Sequence, residues 1–124
     1  VLVAEDSEVN LFVIRELLAG LGIEIAVAKN GEEAVQAFKT NVFDLILMDI
    51  QMPVMDGLEA TRHIRALQSE ASLHPQCEIV GLSAHAMSGD RERYLSEGML
   101  DYLTKPIRTE ALRAVLDLCR ENRE

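Results

Sequence analysis

Several residue types are scarce in this sequence. The chain of 124 residues has no tryptophan, two cysteines and three prolines, and aromatic residues make up 4% of it. Basic residues are also few, because 12 Lys and Arg residues stand against 21 Asp and Glu residues, which gives a net charge of −9. A protein without an excess of basic charge lacks the electrostatic surface that attracts phosphate backbones or anionic lipids. We therefore expect neither nucleic acid nor a membrane to be a partner of this domain.

Long hydrophobic runs are absent as well. The longest apolar stretches, such as residues 45–48, are far shorter than the ~18 residues that a membrane-spanning helix requires. Cys77 and Cys119 are too few to form the disulfide framework of a small secreted protein, and no signal segment opens the sequence. We expect a cytoplasmic domain in which both cysteines are small buried apolar residues or inert thiols.

The rest of the composition is that of an ordinary folded domain. Hydrophobic residues form 48% of the chain and charged residues 27%, whereas a disordered chain of this net charge has far fewer apolar positions. A length of 124 residues suits one domain. The sequence starts at Val1 inside an apolar run, so we expect a single domain over residues 1–124 that has been cut from a longer protein.

Short apolar runs alternate with longer segments whose apolar residues recur every three or four positions. This alternation is typical of βαβ units, in which helices join parallel strands. Ser7 can cap the first helix, and Asn30 followed by Glu33 resembles a capping box at the start of the second. We predict one open parallel sheet with helices on both faces. The predicted strands are residues 1–4, 23–27, 43–48, 79–82 and 101–104, and a helix follows each strand. The third helix is followed by a polar loop near residues 69–76, and the fourth helix covers residues 89–97.

The carboxyl ends of the predicted strands carry polar residues. In an open parallel sheet, ligands bind beyond this edge, at the point where the strand order reverses. The chain places Glu5 and Asp6 after the first strand, Asp49 after the third, Ser83 after the fourth and Lys105 after the fifth. We therefore expect three carboxylates, one hydroxyl and one ammonium group to converge there.

Three carboxylates at one site need charge compensation. A pair of like charges near 4 Å costs roughly 4 kcal/mol at an effective dielectric constant of about 20. Lys105 alone cannot neutralise three anions, so either one carboxyl stays protonated or a divalent cation binds. A few carboxylates with room for waters suit Mg²⁺ better than Ca²⁺. With Mg²⁺ bound, one carboxylate can attack a phosphoryl group to form an aspartyl phosphate, while Lys105 and Ser83 hold the phosphoryl oxygens.

Four motifs lie at these strand ends. Residues 5–6, 47–57, 81–84 and 102–106 read ED, LMDIQMPVMDG, GLSA and YLTKP. In this order and spacing they resemble the receiver domain of two-component response regulators, and the resemblance covers essentially the whole chain. The stretch around Asp49, together with AHAM at 84–87 and GDRE at 89–92, is similar to receivers fused to hybrid sensor histidine kinases.

The resemblance implies a fold and a reaction. The fold is a doubly wound, flavodoxin-like sheet of five parallel strands in the order 2-1-3-4-5, with five helices on its two faces. The reaction is the Mg²⁺-dependent transfer of a phosphoryl group from a phosphohistidine to Asp49. The implied metal ligands are Glu5, Asp6, Asp49 and the backbone carbonyl of Gln51, and Asp6 is the more direct ligand in the family.

The resemblance also implies a switch and a partner. Ser83 is implied as the hydroxyl of the switch, Tyr102 as the aromatic residue that rotates inward, and Lys105 as the cation that binds the phosphoryl group. The peptide bond before Pro106 is a candidate for the cis form, which a following proline makes accessible. The implied partner is the dimerisation domain of a histidine kinase or a histidine phosphotransfer protein. The implied parent is a hybrid kinase, whose anchorage in the inner membrane is left open.

Three other functions stay open from the sequence alone. A Mg²⁺-dependent phosphohydrolase similar to the haloacid dehalogenases also uses a strand-end Asp, but it has a second Asp two residues later, where this chain has Gln51. A flavodoxin-like cofactor binder needs a phosphate-binding loop after the first strand, where residues 5–8 (EDSE) would repel a phosphate. A degenerate receiver that acts only as a docking module is opposed by the presence of every chemical group of the reaction.

Several side chains outside these motifs have simpler interpretations. Arg65, Arg91 and Arg93 are interpreted as solvated helix residues. Val9, Asn10 and Val13 are left over once the core face of the first helix is assigned to Leu11, Ile14 and Leu18. They form a candidate docking surface for a helical partner.

Overall fold

Strands and helices alternate from one end of the chain to the other, as predicted. A computed structural model describes residues 1–70, 77–84, 87 and 89–123. The strands are β1 (Leu2–Ala4), β2 (Ala26–Ala28), β3 (Leu45–Asp49), β4 (Glu78–Ser83) and β5 (Asp101–Thr104). The helices are α1 (Glu8–Gly20), α2 (Gly31–Thr40), α3 (Gly57–Glu70), α4 (Asp90–Ser96) and α5 (Thr109–Arg123).

The strands form one parallel sheet in the order β2-β1-β3-β4-β5. In the β1–β3 pair Ala4 lies opposite Met48, and in the β3–β4 pair Asp49 lies opposite Leu82. In the β4–β5 pair Ser83 lies opposite Thr104. The doubly wound, flavodoxin-like fold is therefore confirmed, and the carboxyl ends of β1, β3, β4 and β5 meet at one edge of the sheet.

Two apolar cores hold the helices against the two faces of the sheet. On one face α1 and α5 bury Leu11, Leu18 and Leu112 against the sheet. Every residue of β3 and β4 is buried, which explains why β3 is apolar without alternation in the sequence. On the other face α2, α3 and α4 bury the side chains of Ala34, Phe38, Leu58, Ile64 and Tyr94.

Polar side chains start the first two helices at the predicted positions. Ser7 Oγ accepts the backbone N–H of Asn10 at 3.4 Å, and Asn30 Oδ1 accepts that of Glu33 at 2.8 Å. The Glu33 carboxylate accepts the backbone N–H of Lys29 at 3.0 Å, one residue before the position that a capping box uses. These bonds satisfy backbone groups that helix geometry leaves unpaired, so the caps fix where α1 and α2 begin.

The edge strand β2 is shorter than predicted. The alternation of apolar residues predicts a strand over residues 23–27, but only Ala26–Ala28 pair as a strand. The cause is β1, which offers three residues for pairing and whose register with β2 begins at Leu2 opposite Ala26. Ile23 and Ile25 instead pack as partly buried side chains against the core.

Other element boundaries differ by smaller amounts. β3 and β4 each end one residue later than predicted, so Asp49 and Ser83 are the last residues of strands. α3 continues to Glu70, into the segment predicted as a polar loop, while residues 71–76 of that loop and residues 85–86 of the AHAM motif lie outside the described residues. Within the described part of the chain, no helix has the length and apolar character to span a membrane.

Candidate functional site

Four strand ends bring the predicted site residues to one edge of the sheet. Glu5 and Asp6 follow β1, Asp49 ends β3, and Ser83 ends β4. Lys105 follows β5, and its backbone N–H donates to the carbonyl oxygen of Ser83 at 2.8 Å. The peptide bond between Lys105 and Pro106 is cis. The parallel register thus gathers side chains that stand as many as 100 positions apart in the sequence.

The carboxylates of Glu5, Asp6 and Asp49 form a cluster. One oxygen atom of each lies within 4.8 Å of the others. Glu5 is fully buried and Asp49 is 3% exposed, whereas Asp6 faces solvent. Like charges held this close in a buried place are unfavourable without a compensating cation. The cluster therefore offers hard oxygen ligands of the kind that Mg²⁺ prefers, with one of them reachable from solvent.

One lysine neutralises part of this negative charge. Lys105 Nζ lies 3.1 Å from Asp49 Oδ2 and 3.1 Å from Glu5 Oε2. Glu5 Oε1 accepts hydrogen bonds from Lys105 Nζ, from Asn10 Nδ2 and from the backbone N–H of Ser7. Glu5 Oε2 is buried and, among the described residues, accepts no hydrogen bond. This oxygen pairs with Lys105, and a carboxylate oxygen in such a pair keeps a lone pair that can bind a metal ion.

Asp49 is the residue whose ionisation this environment changes. Burial raises the pKa of Asp49 from 3.8 to about 7, and the Glu5 carboxylate acts in the same direction, while Lys105 lowers it. In the protein alone, the Asp49 carboxyl is therefore partly protonated near neutral pH. A protonated carboxyl is a poor nucleophile, so added positive charge at the cluster favours the reactive form.

Two cavities flank Asp49 at the surface. The smaller one has a volume of about 240 Å³, and Asp49 and Ser83 are among its lining residues. The larger one has a volume of about 530 Å³ and is lined in part by Asp6. Gln51 and Arg93 line both cavities. A group attached to Asp49 therefore has space beside the Ser83 side chain, which is itself buried.

A strained loop follows β3 and fixes the backbone beside Asp49. The backbone N–H of Gln51 donates to Asp49 Oδ1 at 3.2 Å. Met55 donates its N–H to the carbonyl oxygen two residues earlier at 2.7 Å, and Val54 between them has a φ of +70°, which is costly for a β-branched residue. At Gly57 a Cβ atom would lie 2.1 Å from the backbone oxygen of Asp49, so only glycine fits without a shift. The carbonyl of Gln51 stays a predicted metal ligand.

An aromatic pair connects Tyr102 with the smaller cavity. The rings of Tyr94 and Tyr102 meet edge to face, with centroids 5.4 Å apart and an angle of 78° between their planes. Tyr94 is buried and lines the cavity that contains Asp49 and Ser83. Sequence reasoning did not single out Tyr94, because one aromatic residue on a short helix is typical of an ordinary core position.

Arg65 is not the solvated helix residue that the sequence indicates. Its Nε donates to the carbonyl oxygen of Gly98 at 2.9 Å, and its Nη1 donates to that of Cys77 at 2.7 Å. Arg65 thus ties α3 to the loop before β5 and to the start of β4. Cys77 and Cys119 are both buried and form no disulfide bond, and burial raises the pKa of Cys77 to about 12, which makes it unreactive.

The open face of α1 is more apolar than predicted. Val9 and Val13 are 74% and 38% exposed, and Phe12, which was not predicted to lie on this face, is 63% exposed. Positions 12 and 13 follow position 9 by three and four residues, so all three lie on one side of the helix. The signal for Phe12 is the spacing itself, since Leu11 and Ile14 occupy the buried side.

Comparison with known proteins places this arrangement in a family. The sequence matches the family described as the response regulator receiver domain over residues 1–117. It is 43% identical over 116 residues to the sensor protein GacS of Pseudomonas syringae pv. syringae, which covers 94% of this chain and 13% of GacS. The chain thus spans a small part of this curated relative.

Two solved structures share the fold at substantial identity. The receiver domain of the sensor histidine kinase PA1611 of Pseudomonas aeruginosa PAO1, solved with a magnesium ion in its active site cleft, has a TM-score of 0.81 at 38% identity and covers 94% of this chain and 93% of that one. The receiver domain of Ssk1 of Saccharomyces cerevisiae, solved with the histidine phosphotransfer protein Ypd1, has a TM-score of 0.82 at 36% identity and covers 90% of this chain and 81% of that one. The chain belongs to the response regulator receiver domain family, the phosphoacceptor domains of two-component signalling.

Proposed function

We propose that Asp49 is the phosphoacceptor of this receiver domain and that its phosphoryl group comes from a phosphohistidine on a partner protein. One observation carries the proposal. Asp49 lies at the carboxyl edge of the sheet, within 4.8 Å of the carboxylates of Glu5 and Asp6 and 3.1 Å from Lys105 Nζ. This arrangement supports a nucleophilic carboxylate with charge compensation on both sides.

The transfer needs a nucleophile, a leaving group and a means to stabilise charge. A carboxylate oxygen of Asp49 attacks the phosphorus atom, the P–N bond of the phosphohistidine breaks, and its electron pair stays on the imidazole nitrogen. The product is an acyl phosphate on Asp49. Lys105 neutralises charge that develops on the phosphoryl oxygens, and the Ser83 hydroxyl donates a hydrogen bond to one of them.

Mg²⁺ fits the acidic cluster. Glu5 Oε2 is a buried oxygen without a hydrogen bond from the described residues, and it belongs to a group of three carboxylates that could hold a metal ion. We assign Glu5, Asp6, Asp49 and the backbone carbonyl of Gln51 to this role. When bound, the ion supplies positive charge that ionises Asp49 and orients the incoming phosphoryl group. The magnesium ion in the cleft of the PA1611 receiver supports this assignment.

The partner is a helical protein that carries the phosphohistidine, either a kinase dimerisation domain or a histidine phosphotransfer protein. α1 begins two residues after Asp6 and exposes Val9, Phe12 and Val13 on one side. An exposed apolar stripe of this kind suits docking against another helix. The complex of the Ssk1 receiver with Ypd1 supports a phosphotransfer protein as the class of partner.

A hybrid sensor histidine kinase is the parent that the similarities favour. GacS, which matches over 94% of this chain, is a sensor protein. We assign residues 1–124 to a single receiver domain of such a parent. The domain acts in the cytoplasm as an intermediate phosphoryl carrier in a phosphorelay. The acidic net charge of −9 opposes direct contact of the domain with nucleic acid or anionic lipid.

Intact-protein mass spectrometry tests the acceptor. After incubation with acetyl phosphate and MgCl₂, the wild-type protein is expected to gain one phosphoryl group and Asp49→Asn to gain none. Asp101→Asn, which changes an acid at the start of β5 outside the cluster, is the matched control and is expected to behave like the wild type. A phosphoryl adduct on the Asp49→Asn protein would mean that another residue is the acceptor.

A further inference from the structure

We propose that Arg93 recognises the anionic phosphodonor as it enters the cleft and thereby helps to set how fast each donor phosphorylates Asp49. The inference rests on the proposed acceptor role of Asp49. Arg93 lies in the last turn of the short helix α4, and the sequence indicates no more than a solvated residue there. Three observations assign it a role: its position between two cavities, the charges around it, and its lack of an ionic partner among the described residues.

Arg93 lines both of the cavities at the acidic edge of the sheet. The smaller cavity contains Asp49 and Ser83, and the larger one contains Asp6. Arg93 lines both, as do Ile50 and Gln51 of the loop after β3. A donor that approaches Asp49 from solvent through the smaller cavity therefore passes the Arg93 side chain.

The charges around Arg93 make it different from its neighbours. Among the described residues, it is the one basic residue that lines either cavity, and the other charged residues there are Asp6, Asp49, Asp56 and Asp90. Phosphodonors are anions, and a protein of net charge −9 repels them. A guanidinium group at the cleft reduces this repulsion and can donate two parallel hydrogen bonds to a phosphoryl group.

The Arg93 side chain is available for such a contact. It is exposed, and within the described part of the chain no carboxylate lies at ion-pair distance from it. Asp90, one helical turn earlier, uses its Oδ2 atom to accept the backbone N–H of Met87 at 2.9 Å. Lys105 is already paired with Glu5 and Asp49. Lys105 thus binds the acceptor Asp49, while Arg93 is available to bind the donor.

Phosphorylation kinetics with acetyl phosphate at several salt concentrations test the inference. In this reaction the P–O bond to the acetyl group breaks and acetate leaves with the electron pair. Arg93→Ala is expected to lower the second-order rate constant about tenfold at low ionic strength and to flatten its dependence on salt, because steering by charge is screened by ions. Arg93→Lys keeps the charge without the planar fork, so we expect an intermediate rate and a retained salt dependence.

The control is Arg91→Ala, which removes an exposed arginine of the same helix that lines neither cavity. It is expected to match the wild type in rate and in salt dependence. Equal rate constants for Arg93→Ala and the wild type, or a loss that is the same at every salt concentration, would overturn the role of Arg93 and leave the proposed function intact. If the wild-type protein is not phosphorylated and Asp49→Asn behaves identically, the proposed function itself fails.

Discussion

Asp49 must be both buried and charged, and these demands conflict. Burial excludes water from the acyl phosphate that we propose to form there, but it also raises the pKa of the carboxyl to about 7. Lys105 offsets this effect only in part, since it pairs with Glu5 as well. Because of this conflict, the stability of the protein without divalent cations is expected to depend measurably on pH.

In the presence of EDTA, the free energy of unfolding is expected to fall as the pH rises from about 4 to about 8. The pKa of Asp49 is about 7 in the folded protein and near the ordinary 3.8 in the unfolded chain, so the folded state binds more protons in this interval. The stabilisation is fully present below the unfolded pKa and is lost as the pH passes through the folded pKa. Asp49→Asn removes the titration and is expected to exceed the wild type in stability at pH 8 by about 1–4 kcal/mol.

Urea unfolding of both proteins at pH 4.5 and pH 8 measures this difference. Asp101→Asn serves as the control, because it removes an acid from β5 without touching the cluster. It is expected to keep the pH dependence of the wild type. If the stability of Asp49→Asn depends on pH as the wild type does, the Asp49 carboxyl is not the cause of that pH dependence.

At the scale of elements, α1 has two apolar sides. Leu11, Ile14 and Leu18 are buried against the sheet, and the opposite side exposes Val9, Phe12 and Val13. A helix that needed only to cover the sheet would have polar residues on its outer side. The outer stripe therefore belongs to the proposed contact with the histidine-bearing partner.

Phe12→Ala and Val13→Glu are expected to slow phosphoryl transfer from the cognate phosphohistidine protein about tenfold or more, since loss of one anchor residue in an interface costs about 1–2 kcal/mol or more. The rate with acetyl phosphate is expected to stay unchanged, because neither residue lines a cavity beside Asp49. Stopped-flow or radiolabel assays with both donors give the two rates.

Val42→Glu is the matched control for this test. Val42 is also an exposed valine, at 65%, but it lies in the loop between α2 and β3. Its substitution is expected to leave both rates at the wild-type value. Equal losses with both donors in the α1 variants, or equal rates with the cognate protein, would remove α1 from the docking surface.

Elements were predictable where local chemistry alone decides them. The caps at Ser7 and Asn30 and the continuous apolar run of β3 each have a local cause, and they were predicted. The length of β2 was not predicted correctly, because it depends on how many residues of β1 are available to pair with it. The role of Arg65 was hidden for the same kind of reason, since its carbonyl partners lie on other elements.

At the scale of the whole molecule, the parallel sheet brings residues that are far apart in the sequence close together at one edge. The residues that end or follow β1, β3, β4 and β5 could be predicted as neighbours, because the carboxyl ends of parallel strands share one edge. Arg93 and Tyr94 could not, since they lie on a helix whose rotation against the sheet is set by packing. Site residues at the ends of strands can thus be predicted from the sequence, whereas site residues on helices can be identified only once the fold is known.

The fold also connects the acceptor with a distant surface through β4, β5 and α4. Ser83 accepts a backbone hydrogen bond from Lys105, and Tyr94 joins the cavity beside Asp49 to Tyr102. A phosphoryl group on Asp49 adds negative charge next to Ser83 and attracts its hydroxyl. We propose that movement of that side chain frees space into which the Tyr102 ring can turn, so phosphorylation is expected to shift an existing equilibrium between two arrangements of the α4–β5 surface.

Backbone amide shifts in NMR spectra, with and without beryllofluoride and Mg²⁺, measure this shift, because beryllofluoride mimics the acyl phosphate. Residues 83–84 and 100–104 are expected to change more than residues 23–38, although both groups lie next to the site. The β2 and α2 side touches the acidic cluster through Glu5, whose backbone N–H donates to Ala28, but β2 lies at the opposite edge of the sheet from β5. Asp49→Asn is expected to abolish both sets of changes. Changes confined to Asp49 and its metal ligands would identify a passive phosphoryl carrier, in which Ser83 and Tyr102 do not transmit the signal.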